Sequence, residues 1–222
     1  MTALQLVNSV LRRLREPEVT DFTESYAKLL LDFINETKRE VEDSWDWSAL
    51  RQTISVTTNS TDRSYSIVGA GQRYRFLRQL GTDNISAYNT TNKSWLRLVN
   101  NDYILNQVQI GDTTPNIPDQ FAITGQDVNL DPIITFGPIP NGVHTLKFNM
   151  VVPQAELSLV TDSLTIPWYP VVQGTWARAI SERGEDGGQN TNEQYQMYAA
   201  ALSDAIAQDV SRTGGEVVWS QV

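Results

Sequence analysis

The amino-acid sequence predicts an α+β protein. In this protein the N- and C-terminal helix pairs form one four-helix bundle, and an antiparallel β-sandwich or barrel is inserted between them. Apolar residues recur every three or four positions near both ends and alternate with polar residues in the middle, where Gly, Pro, Asn and Asp separate short runs. Each helix pair has an apolar stripe without local cover, so packing the pairs together is the simplest arrangement. We expect a composite helical domain of residues 1–48 and 167–212, a β domain of residues 49–166, and a C-terminal extension of residues 213–222.

The N-terminal helix pair is indicated by two apolar stripes. The first predicts a helix over residues 2–15 and consists of Leu4, Val7, Leu11 and Leu14. Glu16-Pro17 ends this helix, because a residue before proline is pushed out of the α region. A second helix is predicted to start near Asp21, with Glu24 completing a capping box, and to reach Ser44.

The middle of the chain shows strand periodicity from Leu50 onwards. Alternation, or a short apolar run, predicts strands at several places, among them residues 121–123, 128–130, 133–136 and 143–152. The stretch 100–110 is ambiguous and could hold a short helical turn. Many short, evenly spaced strands are typical of a sandwich or barrel.

The C-terminal helix pair is predicted after Pro167 and Pro170. Its first helix has the stripe Val172, Trp176, Ala179, Ile180 and Arg183. Its second is predicted to start with a capping box of Thr191 and Gln194, and its stripe is Tyr195, Tyr198, Ala199, Leu202, Ile206 and Val210. Gly214 and Gly215 then supply the left-handed stop.

Composition excludes several classes of function. The 222 residues include no cysteine, which removes disulfides, thiolate metal sites and cysteine nucleophiles. The N-terminal arginines lie inside an amphipathic pattern, so a signal peptide is not expected, and no apolar run approaches the roughly 20 residues of a membrane span. We expect a soluble protein that stays in the cytoplasm where it is made unless an assembly carries it out.

The acidic charge is concentrated at the two ends. The net charge is −9, and residues 1–47 (6 basic, 10 acidic) and 167–222 (3 basic, 7 acidic) together account for −8 of it. This balance disfavours general nucleic-acid binding, which needs Lys and Arg to neutralise phosphates. The acidic groups are either ordinary solvated helix faces or a surface that repels passing DNA.

The candidate catalytic residues have simpler structural interpretations. His144, the only histidine, is expected to be a surface strand residue, and a zinc site is not expected with one His and no Cys. Asp127 and Asp131 could in principle form an acid/base pair, but aspartates at strand ends usually serve turns. The run from Gly69 to Gly71 lacks the Lys-Ser/Thr of a phosphate loop, so we expect a hairpin connection. We predict no enzyme, no metal and no cofactor.

Two further features could mediate binding. Arg73, Arg75 and Arg78 interleave with aromatic residues, a pattern that suits either a single-strand nucleic-acid platform or ordinary strand alternation. If they are functional, pairing with an acidic neighbouring subunit suits them better than phosphate binding. The residues after the last helix include Val217, Val218, Trp219 and Val222, although a free tail is normally polar. This tail either folds back on its own domain or adds to a partner, for instance as a strand.

Four segments in order resemble the tail tubular protein A, or head-to-tail adaptor, family of tailed phages and, more broadly, phage connector proteins. They are LVNSVLRRLREPEV at 6–19, EDSWDW at 42–47, the Pro-x-Pro hairpin FGPIP at 136–140 and IPWYP at 166–170. The β insert is larger than in the shorter family members.

The resemblance implies a structural virion protein in the neck or tail, made in the host cytoplasm. It implies a ring of twelve copies between the portal protein and the tail nozzle protein, with genomic DNA passing through unbound, and a C-terminal extension docked on the portal. The alternatives are another connector or head-completion subunit and, from a different class, a carbohydrate-binding β-sandwich module. Against the latter, tryptophans such as Trp45, Trp47, Trp168 and Trp176 lie near predicted helices rather than on one sheet face.

Overall fold

The computed structural model describes residues 1–79, 84–111, 114–184 and 189–212. These residues form a mixed α+β structure with five α-helices and two β-sheets. By contact they divide into two compact units, Met1–Leu50 with Gln154–Val222, here the helical unit, and Arg51–Pro153, here the β unit.

The helical unit contains α1 (Ala3–Arg13), α2 (Ser25–Ser44), a 3-10 turn (Ser48–Leu50), α4 (Trp168–Arg183) and α5 (Gln189–Arg212). The β unit contains β1 (Arg51–Thr57), β2 (Ser64–Ser66), β3 (Arg75–Phe76), β4 (Ala87–Asn89), β5 (Ser94–Trp95), β6 (Arg97–Leu98), α3 (Asn101–Gln109), β7 (Gln120–Gln126), β8 (Pro132–Gly137) and β9 (Thr145–Val151). The ambiguous stretch at 100–110 is therefore a helix of more than two turns.

Both N-terminal helices are confirmed, but the predicted start of α2 is wrong. The start of α1 is fixed by a capping box, in which the Thr2 hydroxyl accepts the Gln5 N–H at 3.3 Å and Gln5 Oε1 accepts the Thr2 N–H at 3.0 Å. Asp21 instead binds the backbone N–H and hydroxyl of Thr23, at 2.9 and 2.5 Å. Because this local turn takes up the Asp21 carboxylate, α2 begins four residues later at Ser25.

The C-terminal helices are also present, but their predicted faces need correction. Helix α4 packs against α1, α2 and α5, so it is buried on most sides rather than along one stripe. In α5 the buried line is Thr191, Gln194, Ala201, Ala205 and Asp209. Tyr195 is exposed, and Thr191 and Gln194 lie inside the helix rather than capping it. In α5 the buried positions hold small and polar residues. A search for apolar residues at helical spacing does not detect such a face.

The β unit has two open sheets among its described residues, so the barrel alternative finds no support. One sheet has the order β1-β9-β4-β5, with β3 also paired to β9, and the other has the order β2-β8-β7-β6. Among the strands that the structure describes, every pairing is antiparallel except that of β6 with β7. The alternation predicted in β9 is confirmed, since Leu146, Phe148 and Met150 are fully buried.

Two predicted hairpins are wrong, because their strands belong to different sheets. Residues 69–71 connect β2 to β3, and the Gly137-Pro138 connection leads from β8 to β9. The strand predicted at 128–130 is also wrong. Val128 is 97% exposed and Leu130 has φ +64°, so these residues form the turn between β7 and β8.

The β unit has its own core. Aromatic rings pack edge to face at its centre, with Phe121 and Phe148 centroids 5.4 Å apart and Phe76 against both. Side chains of both sheets contribute to this core, among them Ile134 and Phe136 from β8 and Leu146 from β9. The core therefore holds the loops and α3 of this unit in place.

Candidate assembly surfaces

The two candidate catalytic aspartates, Asp127 and Asp131, stabilise turns in the structure. Asp127 Oδ1 accepts the backbone N–H groups of Asn129 and Asp131, at 2.8 and 3.0 Å. The buried Asp131 carboxylate accepts the N–H groups of Gly69 and Gly71, at 3.1 and 2.6 Å. The turn chemistry expected of these aspartates is confirmed, and their oxygens hold the connections between strands.

His144 is a buried histidine, so the prediction of a surface strand residue is wrong. Its side chain and backbone together are 5% exposed. The ring Nε2 lies 2.8 Å from Asn141 Oδ1 and Nδ1 lies 3.3 Å from Asn92 Nδ2. A neutral ring with its proton on Nε2 satisfies both contacts, and burial lowers the pKa of His144. The ring ties two loops to the start of β9.

The structure also bears on metal and membrane binding. Within residues 1–79, 84–111, 114–184 and 189–212, no three His, Asp or Glu side chains are grouped to hold a metal ion. In the same ranges no helix is long and apolar enough to cross a bilayer.

The first surface of interest is a groove in the helical unit, here the α5 groove. It encloses about 530 Å³ and is formed by Met1, residues 47–49, residues 164–170 and one face of α5 from Ala201 to Arg212. Trp168 and Tyr169 at its edge are 43% and 47% exposed, and their rings stack edge to face at 5.6 Å. The α5 groove therefore presents accessible apolar surface beside polar side chains.

Asp209 fixes the wall of this groove. Its carboxylate accepts the Ser48 N–H at 3.0 Å, the Ser48 hydroxyl at 2.5 Å and the Trp45 indole N–H at 3.2 Å. Trp47 between them is fully buried and donates its indole N–H to the Val41 carbonyl at 2.6 Å. The Trp-Asp-Trp segment thus attaches the end of α2 to α5, and buried Trp47 cannot serve as a sugar-stacking platform.

A second surface consists of exposed apolar side chains on and beside α3, here the α3 surface. Ile104 anchors the helix and is fully buried. Other large apolar side chains of the region are exposed, namely Leu98, Tyr103, Leu105, Val108, Ile110 and Ile117. Asp102 is the only charged residue of the helix. A nearly uncharged helix with several exposed apolar side chains is typical of an interaction site.

The cationic candidates lie at the edge of the β unit. Arg75 is in β3, Arg73 precedes it, and Arg78 follows it and forms an isolated bridge with Ile85. Tyr74 and Phe76 pack against the core, so the predicted inside/outside alternation is confirmed for the aromatic residues. Arg78 is exposed, and Arg73 and Arg75 are half-buried.

Ion pairs tie the acidic residues of the helical unit to its few cations. Arg178 binds Glu40 closely and lies 3.5 Å from Glu36, and Arg183 lies 2.9 Å from Glu16. Burial, followed by the neighbouring Glu40 carboxylate, raises the pKa of Tyr198 to about 12. The residues predicted to dock on the portal, Val217, Val218, Trp219 and Val222, lie outside the described residues.

Sequence reasoning did not identify the α5 groove or the α3 surface. The groove is assembled from four segments far apart in sequence, so no local pattern could indicate it. The apolar residues within 100–110 could have indicated the α3 surface. The sequence did not decide whether this stretch is helical, so it did not show which of these side chains are exposed.

The comparison with protein families gives a match over residues 1–219, to the model described as SU10 adaptor protein. The match covers the helical unit and the β unit alike. No curated protein matches the chain.

Proposed function

The chain belongs to the SU10 adaptor protein family, and from this premise we propose that it forms a ring between the portal and the tail nozzle of a phage. The family makes it a structural adaptor protein of the virion neck, of a kind that is generally non-enzymatic. The match over residues 1–219 is the observation that carries the proposal, because it includes every described element. In this proposal the ring has about twelve copies and contacts the portal on one side and the tail nozzle on the other.

The same proposal assigns an architecture to each unit. We infer that α1, α2, α4 and α5 form a four-helix bundle, since α4 packs on the other three and α1 also packs on α2. We infer that the two sheets of the β unit form a sandwich, since both supply side chains to one core. Such rigid units suit a subunit whose work is mechanical.

Lateral contact between neighbouring subunits is assigned to the β unit. A ring is built from heterologous contacts, in which two different patches of the subunit meet. The α3 surface is one candidate patch, because its apolar side chains gain most from being covered. The cationic edge with Arg73, Arg75 and Arg78 is a second, and an acidic patch of a neighbour would complement it.

The distribution of charge supports unhindered passage of DNA. Eight of the nine net negative charges lie in residues 1–47 and 167–222. An acidic channel wall would repel the phosphate backbone and let DNA slide rather than bind. In this proposal the C-terminal extension, with Val217, Val218, Trp219 and Val222, docks on the portal and couples the ring to it.

The experiment combines the purified chain with the portal of the same phage. We expect electron microscopy of negatively stained complexes to show an added ring on the portal, and native mass spectrometry to give a copy number matching the portal symmetry. Portal alone is the control. Portal particles that show no added density at saturating chain concentration would refute the proposal.

A further inference from the structure

Strand β1 forms an open edge of its sheet. In the order β1-β9-β4-β5 it pairs with one described strand, β9, over seven residues in continuous register. The strands at the other described sheet edges, β2, β5 and β6, are only two or three residues long. Proteins usually shorten an exposed edge or interrupt it with proline, lysine or a bulge, because unpaired backbone groups attract further strands. β1 has no proline, no lysine and no bulge.

Alternate residues of β1 direct their backbone groups away from β9. Asn149 of β9 lies opposite Thr53, and its N–H and C=O are bonded to the segment between β3 and β4, at 3.0 and 2.9 Å. Because bonded and non-bonded pairs alternate along an antiparallel ladder, the N–H and C=O groups of Thr53, Ser55 and Thr57 all point to the open edge. These three residues are exposed, and their outward backbone groups have no partner in the described part of the chain.

The open edge is complementary to the same edge of a second copy. Two antiparallel β1 strands related by a two-fold axis at Ile54 place Thr53 of each copy opposite Ser55 of the other. Both residues present their backbone groups to the other strand, so each pair exchanges two N–H···O bonds. In the same register Arg51 lies opposite Thr57 of the second copy, so the two arginines do not face each other.

The side chains match in this register as well. On the exposed face the Thr53 hydroxyl donates to Asn149 Oδ1 at 2.6 Å and keeps lone pairs that can accept the Ser55 hydroxyl of the second copy. Cross-strand pairs of Thr and Ser stabilise antiparallel sheets. On the core side the partly buried Ile54 meets Ile54 of the second copy, and each covers apolar surface of the other.

We propose that unassembled subunits pair through β1, so that the sheets of two β units join into one continuous sheet. Pairing covers the edge that would otherwise recruit foreign strands. Neighbours in a single ring are related by the rotation of the ring and not by this two-fold axis, so the pair separates when the proposed ring forms. Pairing itself requires no portal, and it can be measured on the isolated chain.

Sedimentation equilibrium of the isolated chain measures the pairing, with two double variants that differ only at residue 53. Thr53→Glu with Ser55→Glu places like charges opposite each other at both symmetry-related pairs, whereas Thr53→Lys with Ser55→Glu places opposite charges there. Both positions are exposed, and Ser55 lies opposite Lys147 of β9, which favours an acidic residue. We expect a wild-type dimer, a Kd at least roughly tenfold weaker in the first variant, and a Kd near the wild-type value in the second.

Val68→Glu with Val128→Glu is the matched control for net charge. These side chains are 71% and 97% exposed and lie outside β1. The control adds the same charge as the first variant, so an unchanged dimer Kd is expected if the effect arises at the strand edge. Circular dichroism of every variant verifies that the fold is retained.

Amide hydrogen exchange followed by NMR locates the contact. The N–H groups of Thr53, Ser55 and Thr57 should exchange readily in dilute solution and become protected where the dimer predominates. Those of Ile54 and Val56 face β9, so they should be protected at both concentrations and serve as the internal control. This alternation distinguishes pairing through the strand edge from association through another surface.

Several results would overturn the proposal. A wild-type chain that stays monomeric up to about 1 mM does not pair through β1. An associated species in which the Thr53, Ser55 and Thr57 amides exchange as in the monomer uses another surface. Equal Kd values for the two variants at residue 53 exclude the antiparallel register, and a control weakened as much as the first variant assigns the effect to net charge.

Addition of portal separates this proposal from the proposed function. A chain that does not pair in solution but forms a ring on the portal rejects β1 pairing alone. A chain that pairs in solution but adds no ring to the portal rejects the proposed function and leaves β1 pairing standing.

Discussion

Lys38 and Glu42 form an ion pair inside the helical unit, with Nζ and Oε1 2.9 Å apart and side chains 3% and 0% exposed. Lys38 also donates to the Gln154 carbonyl at 2.6 Å, and Glu42 accepts the Gln154 N–H at 3.1 Å. One helical turn earlier, the Asn35 amide makes the same paired contacts with the backbone of Leu157, at 3.0 and 2.9 Å. One face of α2 thus binds the backbone of Gln154 and Leu157. Burying the charges of Lys38 and Glu42 would be costly if they were unpaired, but each is paired with the other and hydrogen-bonded to this backbone.

Glu42→Gln is expected to destabilise the chain by about 3–5 kcal/mol, because it leaves the Lys38 ammonium buried without its counter-ion. Equilibrium urea unfolding followed by circular dichroism measures the change. Glu18→Gln is the matched control, since Glu18 pairs with Arg12 at 2.8 Å on the exposed surface and such pairs contribute about 0–1 kcal/mol. Equal effects of the two variants would contradict the buried role of Glu42.

Gly174→Ala tests the close packing of α4. A Cβ at this position would lie 2.6 Å from Thr37 Cγ2 and 3.1 Å from the Tyr198 ring. Thr37 is fully buried and held by hydrogen bonds to Phe33 and Arg178, so it has little freedom to move. We expect a net loss of about 1–2 kcal/mol in urea unfolding, although Ala is the better helix former. Gly125→Ala, with open space at its Cβ, is the control, and equal stability of the two variants would contradict the packing argument.

His144 predicts a pH dependence of stability. Its pKa is lowered by burial, so the unfolded chain binds a proton near pH 6.5 that the folded chain rejects. The contribution of His144 is complete above about pH 6.5 and is lost as the pH falls towards the folded pKa. The urea midpoint of the wild type should therefore drop between pH 7.5 and 5.5 by more than that of His144→Gln. Parallel slopes in the two proteins would show that other groups dominate this range.

Carboxylates such as Asp162 contribute little to that window. Hydrogen bonds from the backbone N–H groups of Leu159 and then Ser158, at 2.7 Å each, lower the pKa of Asp162. Its protonation belongs to a more acidic range, which helps to assign the change between pH 7.5 and 5.5 to the histidine.

The sequence predicted the element types well where burial follows hydropathy. The predicted face of strand β9 is buried as expected. The predicted stripes of α1 and α2 are buried in part: Val7 and Leu11 are buried in α1, and Leu30, Thr37 and Val41 in α2. Leu4 and Leu14 are only half-buried. In α5 the inward positions are small or polar, such as Ala205 and Gln194, which binds Gln173 of α4 at 2.6 Å. The α5 face predicted from hydropathy alone is therefore displaced by about one residue from the face that is buried.

Sheet membership and the groove depend on contacts distant in sequence. A local run such as residues 69–71 looks the same in a hairpin and in a connection between sheets, and only the pairing of β2 with β8 and β3 with β9 distinguishes them. The buried Lys38 ammonium is likewise held by a distant partner, since it donates to the Gln154 carbonyl far along the chain. Such partners cannot be identified from local spacing.

Deletion of residues 215–222 is expected to preserve the circular dichroism spectrum and to abolish binding to the portal, because the apolar side chains proposed to dock are then absent. Surface plasmon resonance on immobilised portal measures the affinity. Gln221→Ala is the control, since it removes a polar side chain and keeps the apolar ones. Portal binding by the truncated chain at the affinity of the full chain would reject the docking role.

Leu105→Lys combined with Val108→Lys tests the α3 surface as a lateral contact. Both side chains are exposed, so the folded subunit should retain its urea midpoint within about 0.5 kcal/mol. In a ring each lysine would be buried against an apolar neighbour without a counter-ion, and each contact would be weakened in every copy. We therefore expect portal particles to carry incomplete rings or none, counted by electron microscopy and by native mass. Val128→Lys is the matched control, because Val128 is exposed in the β7–β8 turn outside the α3 surface. Complete rings from the double variant would place the lateral contact elsewhere on the subunit.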